Sequence, residues 1–429
     1  MRNLLAALMI AASICATAPA DEVHLVDGRS FQVSRWWVDG EYLVMTTEEG
    51  EVRVLRQQVE RIDVEGLVDE EPGGRSITPF RFREGTDLLA VVPEERRFAV
   101  PASVLSCASK GNIAAALAEL DSLVTLGNEY TRSADFAILK AALLLRAGLF
   151  KKAQDLIAPV VHASPREGFS RFLAGQVAYF QGRWQEALEH YRISLLSMTG
   201  SADRELRNRT TARLVELEGE YRSAIFESEH FVFHATATVD ERHTPRLVLQ
   251  TLEDLYGPLS SALAVSLSGK IAVVVADDIP SAPDGTRREG AYDGRIVLAA
   301  GALESERLER TLAHELVHAL LLPRTKGNCP VWVHEGLAQF LSGVSTEDIA
   351  PELKALAQSG QTPGLLPDSL TLLEYLVRSY SPAHIGNMLT LLAEGSEPEQ
   401  AIHRTFGRRL DELRVSRDNW LAPIIARAH

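Results

Sequence analysis

The chain has 429 residues, which is enough for two to four domains at about 100–200 residues each. Apolar residues make up 46% and charged residues 24%, close to the globular average, so a largely disordered or collagen-like chain is excluded. The formal net charge is −14, and no run of Lys or Arg is long enough to form a nucleic-acid surface. The acidic balance therefore argues against nucleic acid and anionic lipid as main partners.

The first twenty residues have the pattern of a secretory signal peptide. Arg2 supplies the positive start, a short apolar run follows, and the tripeptide 18–20 (APA) forms a small-x-small cleavage site. The alternative is a membrane anchor, but the apolar run is shorter than the ~20 residues that a span requires. We therefore expect the signal peptide to be cleaved before Asp21. The mature chain is expected to be exported, periplasmic or secreted, and to have no membrane span.

Two cysteines remain after removal of the signal peptide, Cys107 and Cys329. Two cysteines do not make a disulfide-stapled scaffold. Export permits a single disulfide, and the sequence leaves open whether the two residues pair.

Residues 21–65 predict a small β-barrel-like unit. Val23 and Leu25 alternate with polar neighbours, as do Val52 and Val54, and Gly follows an acidic residue at 27–28, 39–40 and 49–50. Turn signals about ten residues apart, between alternating segments, indicate short antiparallel strands. The following residues, 66–101, are predicted to form a linker.

Residues 102–222 contain an internal repeat of 34 residues. The segment 148–153 (GLFKKA) recurs at 182–187 (GRWQEA). This period and motif resemble tetratricopeptide repeats, which implies a stack of antiparallel helical pairs. Such stacks often hold a peptide or a protein partner in their concave face, although a simple spacer is an equal alternative.

Residues 223–429 have an α+β pattern, and their strongest chemical signal is the segment 314–318 (HELVH). On a helix, residues four apart share a face, so His314 and His318 can reach one metal ion. Glu315 lies one step round the helix, close enough to take a proton from a metal-bound water. Downstream, the segment 331–338 (VWVHEGLA) carries Glu335, which could complete a zinc site of two His and one carboxylate.

Together the two motifs resemble the gluzincin metallopeptidases, the thermolysin-like zincins, over about residues 225–429. The resemblance implies a zincin-like domain with one Zn²⁺ per chain, held by His314, His318 and Glu335. It implies that Glu315 is the general base. It also implies that an edge strand before the zinc helix, here residues 290–298, binds an extended peptide substrate by strand addition.

The sequence departs from the family pattern at two places. Family members usually carry a Tyr or His on a later helix to stabilise the oxyanion, and Tyr375 and Tyr380 are the candidates, although either suits a core position equally well. One helical turn after the third ligand, where the family often has an acid, this chain has Gln339. An amide at that place can orient a ligand but adds no charge.

His334, the neighbour of Glu335, is a rival for the third ligand position. Adjacent side chains on a helix diverge by about 100°, so only one of the two can face the metal. The motif spacing favours Glu335, and we expect Gly336 to permit close approach of the two motif helices. A substitution of His334 is therefore expected to leave zinc binding nearly intact.

The sequence thus predicts a multidomain protein with a small N-terminal β unit, tetratricopeptide-like helices and a C-terminal α+β zincin-like domain. The first functional hypothesis is a secreted zinc peptidase acting on peptides or proteins. The alternative is an exported tetratricopeptide scaffold or adaptor whose zincin-like domain is weakly active or inactive. A serine hydrolase or a nucleotide enzyme has no support, because the sequence contains neither a Gly-x-Ser-x-Gly motif nor a phosphate loop.

Overall fold

The computed structural model describes residues 21–25, 27–33, 35–39, 42–47, 50–55, 58–63, 101–197, 204–220, 224–235, 243–276, 279, 288–359 and 363–428. The chain divides into two compact units, Met1–Gly74 and Arg75–His429. The predicted signal peptide and all but the last residue of the predicted linker lie outside the described residues.

The described part of the N-terminal unit forms two three-stranded antiparallel sheets. Its strands are β1 (Asp21–Leu25), β2 (Ser30–Val33), β3 (Arg35–Asp39), β4 (Tyr42–Thr47), β5 (Gly50–Leu55) and β6 (Val59–Asp63). β1 lies between β2 and β6, while β3, β4 and β5 follow one another as a meander. Val23, Leu25 and Val54 belong to the small core of the unit, as expected from their alternation with polar residues.

The second unit begins with an array of helices. These are α1 (Ala102–Ser109), α2 (Ile113–Thr125), α3 (Ala134–Arg146), α4 (Phe150–Ala163), α5 (Gly168–Phe180), α6 (Trp184–Ser197) and α7 (Arg204–Glu220), with a short 3₁₀ helix at Glu129–Arg132. The two copies of the 34-residue motif have the same local structure. Gly148 and Gly182 adopt left-handed φ values of 70° and 72°, which a side chain would strain, and the helices α4 and α6 start two residues later.

A mixed five-stranded sheet follows the helical array. Its strands are β7 (Ala224–Glu227), β8 (Phe231–Ala235), β9 (Ile271–Ala276), β10 (Gly290–Tyr292) and β11 (Ile296–Ala299), in the order β10-β11-β9-β8-β7. β8, β9 and β11 are mutually parallel, and the edge strands β7 and β10 are antiparallel to their neighbours.

The segment 290–298, expected to lie along the edge of the sheet, is instead a hairpin. Gly294 has a φ of 95°, a value that suits glycine, and it turns the chain between β10 and β11. Only β10 therefore lies at the edge, while β11 pairs with β10 on one side and β9 on the other.

Helices cover the sheet and complete the second unit. They are α8 (Thr244–Leu263), α9 (Leu308–Thr325), α10 (Val331–Leu341), α11 (Thr346–Ser359), α12 (Leu365–Ser379), α13 (Pro382–Ala393), α14 (Pro398–Phe406) and α15 (Leu410–Arg427), with a 3₁₀ helix at Ala300–Glu304 before α9. Leu312, Leu316 and Leu320 are fully buried, so the apolar ridge of α9 packs in the core that α9 shares with α8 and the sheet.

Two further expectations concern membranes and cysteines. Within the described ranges, no helix is both long and apolar enough to cross a membrane. Cys107 and Cys329 are both free thiols in this structure, and Cys329 is completely buried in the core of the second unit.

Candidate metal centre

The helices α9 and α10 bring His314, His318 and Glu335 together into one group, which we call the metal cluster. The Nε2 atoms of His314 and His318 are 3.1 Å apart. Oε2 of Glu335 lies 3.6 Å from Nε2 of His314 and 3.8 Å from Nε2 of His318. Three potential ligand atoms, one from each residue, therefore converge on one point.

Packing on the opposite faces of the two helices sets this geometry. The buried leucine ridge of α9 holds the helix on the sheet, so the imidazoles, which lie on another face, point towards α10. On α10, Trp332 and Leu337 pack into the core. A Cβ on Gly336 would lie only 2.6 Å from the carbonyl oxygen of Ser369, so this glycine lets α10 approach α12. Our expectation that Gly336 serves the contact between α9 and α10 was wrong.

The metal cluster fits a zinc ion in both spacing and chemistry. Ligands that lie about 2.0–2.1 Å from a tetrahedral zinc are about 3.3–3.5 Å from one another, close to the three distances above. Two imidazole nitrogens and one carboxylate oxygen form a donor set that catalytic zinc sites use, with a fourth position left for water. Because two imidazole nitrogens point at each other, they must share a proton when no cation lies between them.

The protonation of the metal cluster follows from burial and from its internal charges. Burial alone would lower the pKa of His314, but the nearby carboxylates of Glu335 and Glu315 outweigh burial and raise the pKa. Burial lowers the pKa of His318 well below its usual value. For Glu335, the two neighbouring imidazoles outweigh burial, and the pKa falls to about 2. A cation entering the cluster would therefore displace the proton of His314.

His334 lies behind His318 rather than in the metal cluster. Its Nδ1 is 2.9 Å from Nδ1 of His318, on the far side of that ring from the cluster. His334 is completely buried, and burial lowers its pKa to about 3, so it is a neutral imidazole. A neutral His334 can accept a hydrogen bond from Nδ1–H of His318, which leaves Nε2 of His318 unprotonated for a metal.

Glu315 is buried at the edge of the metal cluster, next to the edge strand. Glu315 is only 5% exposed, and burial raises the pKa of its carboxyl to about 7. A Cβ on Gly290, the first residue of β10, would lie 3.0 Å from Oε1 of Glu315. Arg288, an exposed residue just before β10, contributes a positive charge that lowers the pKa of both Glu315 and Glu335. Sequence reasoning missed Arg288, because no motif distinguishes it from other surface arginines.

Tyr375 and Tyr380, the candidates for stabilising the oxyanion, both make aromatic contacts with later helices. The ring of Tyr375 packs 6.0 Å from that of Trp420 on α15, and the ring of Tyr380 packs 5.0 Å from that of Phe406 on α14. The Gln339 amide donates to the backbone oxygens of Glu335 and Leu366. It thus holds the end of α10 near α12 and does not orient the carboxylate of the third predicted ligand.

No family model matches the chain, and no curated protein is significantly similar to it.

Proposed function

We propose that this protein is a zinc-dependent peptidase of the gluzincin type. The observation that carries the proposal is the metal cluster: His314, His318 and Glu335 come from two separate helices and place their donor atoms within 4.8 Å of one another. A buried Glu next to the first His and an edge strand beside that Glu add a candidate base and a candidate peptide-binding edge, which support the proposal.

Zinc bound by these residues would supply Lewis acidity and lower the pKa of water. The role of Glu315 is to accept a proton from the attacking water on its carboxylate and to return it to the leaving amine. Burial raises the pKa of Glu315 to about 7 when no cation is bound, and zinc beside it would lower that pKa and favour the carboxylate that accepts the proton. His334 keeps the ring of His318 in one orientation through the contact between their Nδ1 atoms.

The substrate class that we propose is an extended peptide segment. Strand β10 lies at the edge of the sheet and offers backbone groups for strand addition. Since its first residue contacts Glu315, a peptide added to β10 would pass close to the metal cluster. The charge of Arg288 at the entry of β10 favours acidic groups on that peptide.

The helical array supports a second candidate function, a scaffold whose repeats bind a partner. A cavity of about 280 Å³ opens between α4, α5 and α6. The cavity is lined by His162, Arg171 and His190 and by apolar residues that include Ile157. We propose that the array is tetratricopeptide-like and recruits peptide or protein partners, in an exported chain that is periplasmic or secreted.

Cleavage of an unfolded protein by the purified chain separates the two functions. The peptidase proposal predicts fragments that disappear with a zinc chelator and return when zinc is restored. A scaffold predicts binding of the unfolded protein without fragments under either condition. Cleavage that persists in the chelator would reject a zinc-dependent mechanism.

A further inference from the structure

A buried ion network joins the helical array to the turn of the β10–β11 hairpin. It consists of Tyr179 on α5, Arg213 and Glu216 on α7, and Asp293 and Arg295 in the turn, and we call it the anchor cluster. The carboxylate of Glu216 accepts hydrogen bonds from the Tyr179 hydroxyl at 2.5 Å and from Nη1 of Arg213 at 2.7 Å. Nη2 of Arg295 lies 3.1 Å from Glu216 and 3.0 Å from Oδ2 of Asp293.

The anchor cluster is balanced in charge and largely buried: the side chains of Arg213 and Arg295 are 8% and 7% exposed, and those of Glu216 and Asp293 are 29% and 21% exposed. Two guanidinium groups face two carboxylates, and the guanidinium carbons of Arg213 and Arg295 lie 4.5 Å and 4.7 Å from the centre of the Tyr179 ring. The two arginines outweigh the effect of burial and lower the pKa of both Glu216 and Asp293. Removing one member would leave a buried charge without its counter-ion, which is far more destabilising than losing a surface pair.

Close packing strengthens this connection at the tip of the hairpin. A Cβ on Gly294 would lie 2.5 Å from the ring of Phe180, so even a methyl group would push the tip away from α5. Nearby, the ring of His234 on β8 stacks on Trp184 of α6, with ring centres 3.4 Å apart. The array and the sheet therefore share a specific contact surface.

The other end of the same hairpin lies at the catalytic Glu. A Cβ on Gly290 would approach Thr311 to 2.8 Å and Glu315 to 3.0 Å, so β10 runs directly against α9. The hydroxyl of Thr311 donates to Glu289, the residue before β10, at 3.1 Å. Only three residues separate Gly290 from the tip at Gly294, so a displacement at the tip reaches the start of β10.

We propose that Tyr179 and Arg295 are positioning residues of the active site: through the anchor cluster, the helical array holds β10 against Glu315 in the place where an extended peptide adds to the sheet. The inference rests on the proposed function, since it assigns β10 to substrate binding. It makes the array a structural part of the peptidase, beyond any partner that the array recruits.

Three variants of the full chain test this inference. Tyr179→Phe removes the hydroxyl but keeps the ring, and Gly294→Ala adds a methyl group against Phe180. Gly28→Ala is the matched control, because Gly28 has a similar φ of 85° and nothing within 4 Å of its added Cβ. The readouts are hydrogen exchange of the amides in 289–299, zinc per chain, and kcat and KM for peptides of increasing length.

We expect both test variants to retain zinc while the amides of 289–299 exchange about tenfold faster. For long peptides kcat/KM is expected to fall about tenfold, mainly through KM, and Gly28→Ala is expected to behave as the wild type. Unchanged exchange in both test variants, or faster exchange with unchanged kinetics, would overturn the positioning role. If the wild type cleaves no peptide, the proposed function fails and the positioning role falls with it, while exchange still decides whether the array holds the hairpin.

Discussion

Two buried polar clusters lie at the two ends of the β10–β11 hairpin, and they differ in how their charges balance. In the anchor cluster, Arg213 and Arg295 face two carboxylates and the hydroxyl of Tyr179. In the metal cluster, two imidazole nitrogens 3.1 Å apart face a single carboxylate, Glu335. The first cluster balances its charges within the protein, whereas the second could hold one cation.

This difference is our reason for proposing a structural network in the first case and a metal site in the second. Buried charges are retained when they are paired, and the anchor cluster satisfies this condition with protein groups alone. The metal cluster satisfies it only by keeping a proton on an imidazole, which zinc can replace. The predictions below test whether the two clusters behave as a metal site and as an anchor.

The largest effect is expected for Glu315, the proposed general base. Glu315→Gln keeps the shape of the side chain but removes proton acceptance, so we expect turnover to fall about 10²–10⁴-fold while zinc per chain stays unchanged. Glu309→Gln, an exposed change on the same helix, is the matched control and is expected to retain activity. Steady-state kinetics with a peptide substrate measure both variants, and wild-type turnover by Glu315→Gln would remove the base role.

The second prediction compares the adjacent residues of α10. Glu335→Ala removes a ligand and is expected to weaken zinc binding more than 100-fold. His334→Ala removes the partner of His318 and is expected to weaken it about 10–100-fold, the usual cost of losing such a support. The sequence alone led us to expect that His334→Ala would leave zinc binding nearly intact. The contact between the Nδ1 atoms of His334 and His318 is the reason for expecting weaker binding instead. Competition with a chelator measures both affinities, and the reverse order would make His334 the ligand.

The third prediction concerns His234, a buried histidine that is not one of the proposed metal ligands. His234 is 1% exposed, donates from Nε2 to the backbone oxygen of Gly182, and has its pKa lowered by burial to about 4. Between about pH 4 and 6.5 the unfolded chain therefore binds more protons than the folded chain. The contribution of His234 to the free energy of unfolding is complete above about pH 6.5 and decreases as the pH is lowered towards about 4.

From pH 7 to 5 we expect His234 to reduce the free energy of unfolding by about 2 kcal/mol. The loss is expected with or without chelator, and His234→Phe, which keeps an aromatic ring against Trp184, is expected to remove it. Denaturant unfolding at several pH values measures the effect. A pH dependence that His234→Phe leaves intact would assign the loss to other groups.

The smallest effect is expected where the hairpin meets Glu315. Gly290→Ala places a methyl group 3.0 Å from Glu315, and we expect a fall in kcat/KM of about tenfold with zinc retained. Gly301→Ala is the matched control, since nothing lies within 4 Å of its added Cβ. Equal kinetics for the two variants would show that β10 does not constrain Glu315.

The sequence alone predicts the members of the metal cluster, because they lie in two short motifs. Helical spacing alone places His314 and His318 on one face, and the second motif supplies Glu335. The anchor cluster has no such signal. Tyr179 and Arg295 are more than 100 residues apart, and neither residue belongs to a metal-binding or catalytic motif.

The sequence pattern also did not predict where the backbone turns or which helices approach each other closely. The turn at Gly294 divides the expected strand into a hairpin, and the partner of Gly336 is α12 rather than α9. A glycine in a sequence indicates that a side chain is absent, but not which neighbour occupies the space. Hydrophobic alternation, in contrast, predicted the strands around Val23 and Val54, because it depends only on neighbouring residues.

The most direct measurement of the central claim is the zinc content of the folded chain. Elemental analysis of the purified wild type is expected to give about one zinc per chain, and His318→Ala is expected to give almost none. Tyr179→Phe, a change in the anchor cluster, is expected to keep the full content. A folded wild-type preparation that takes up no zinc, or a His318→Ala variant that retains it, would contradict the account.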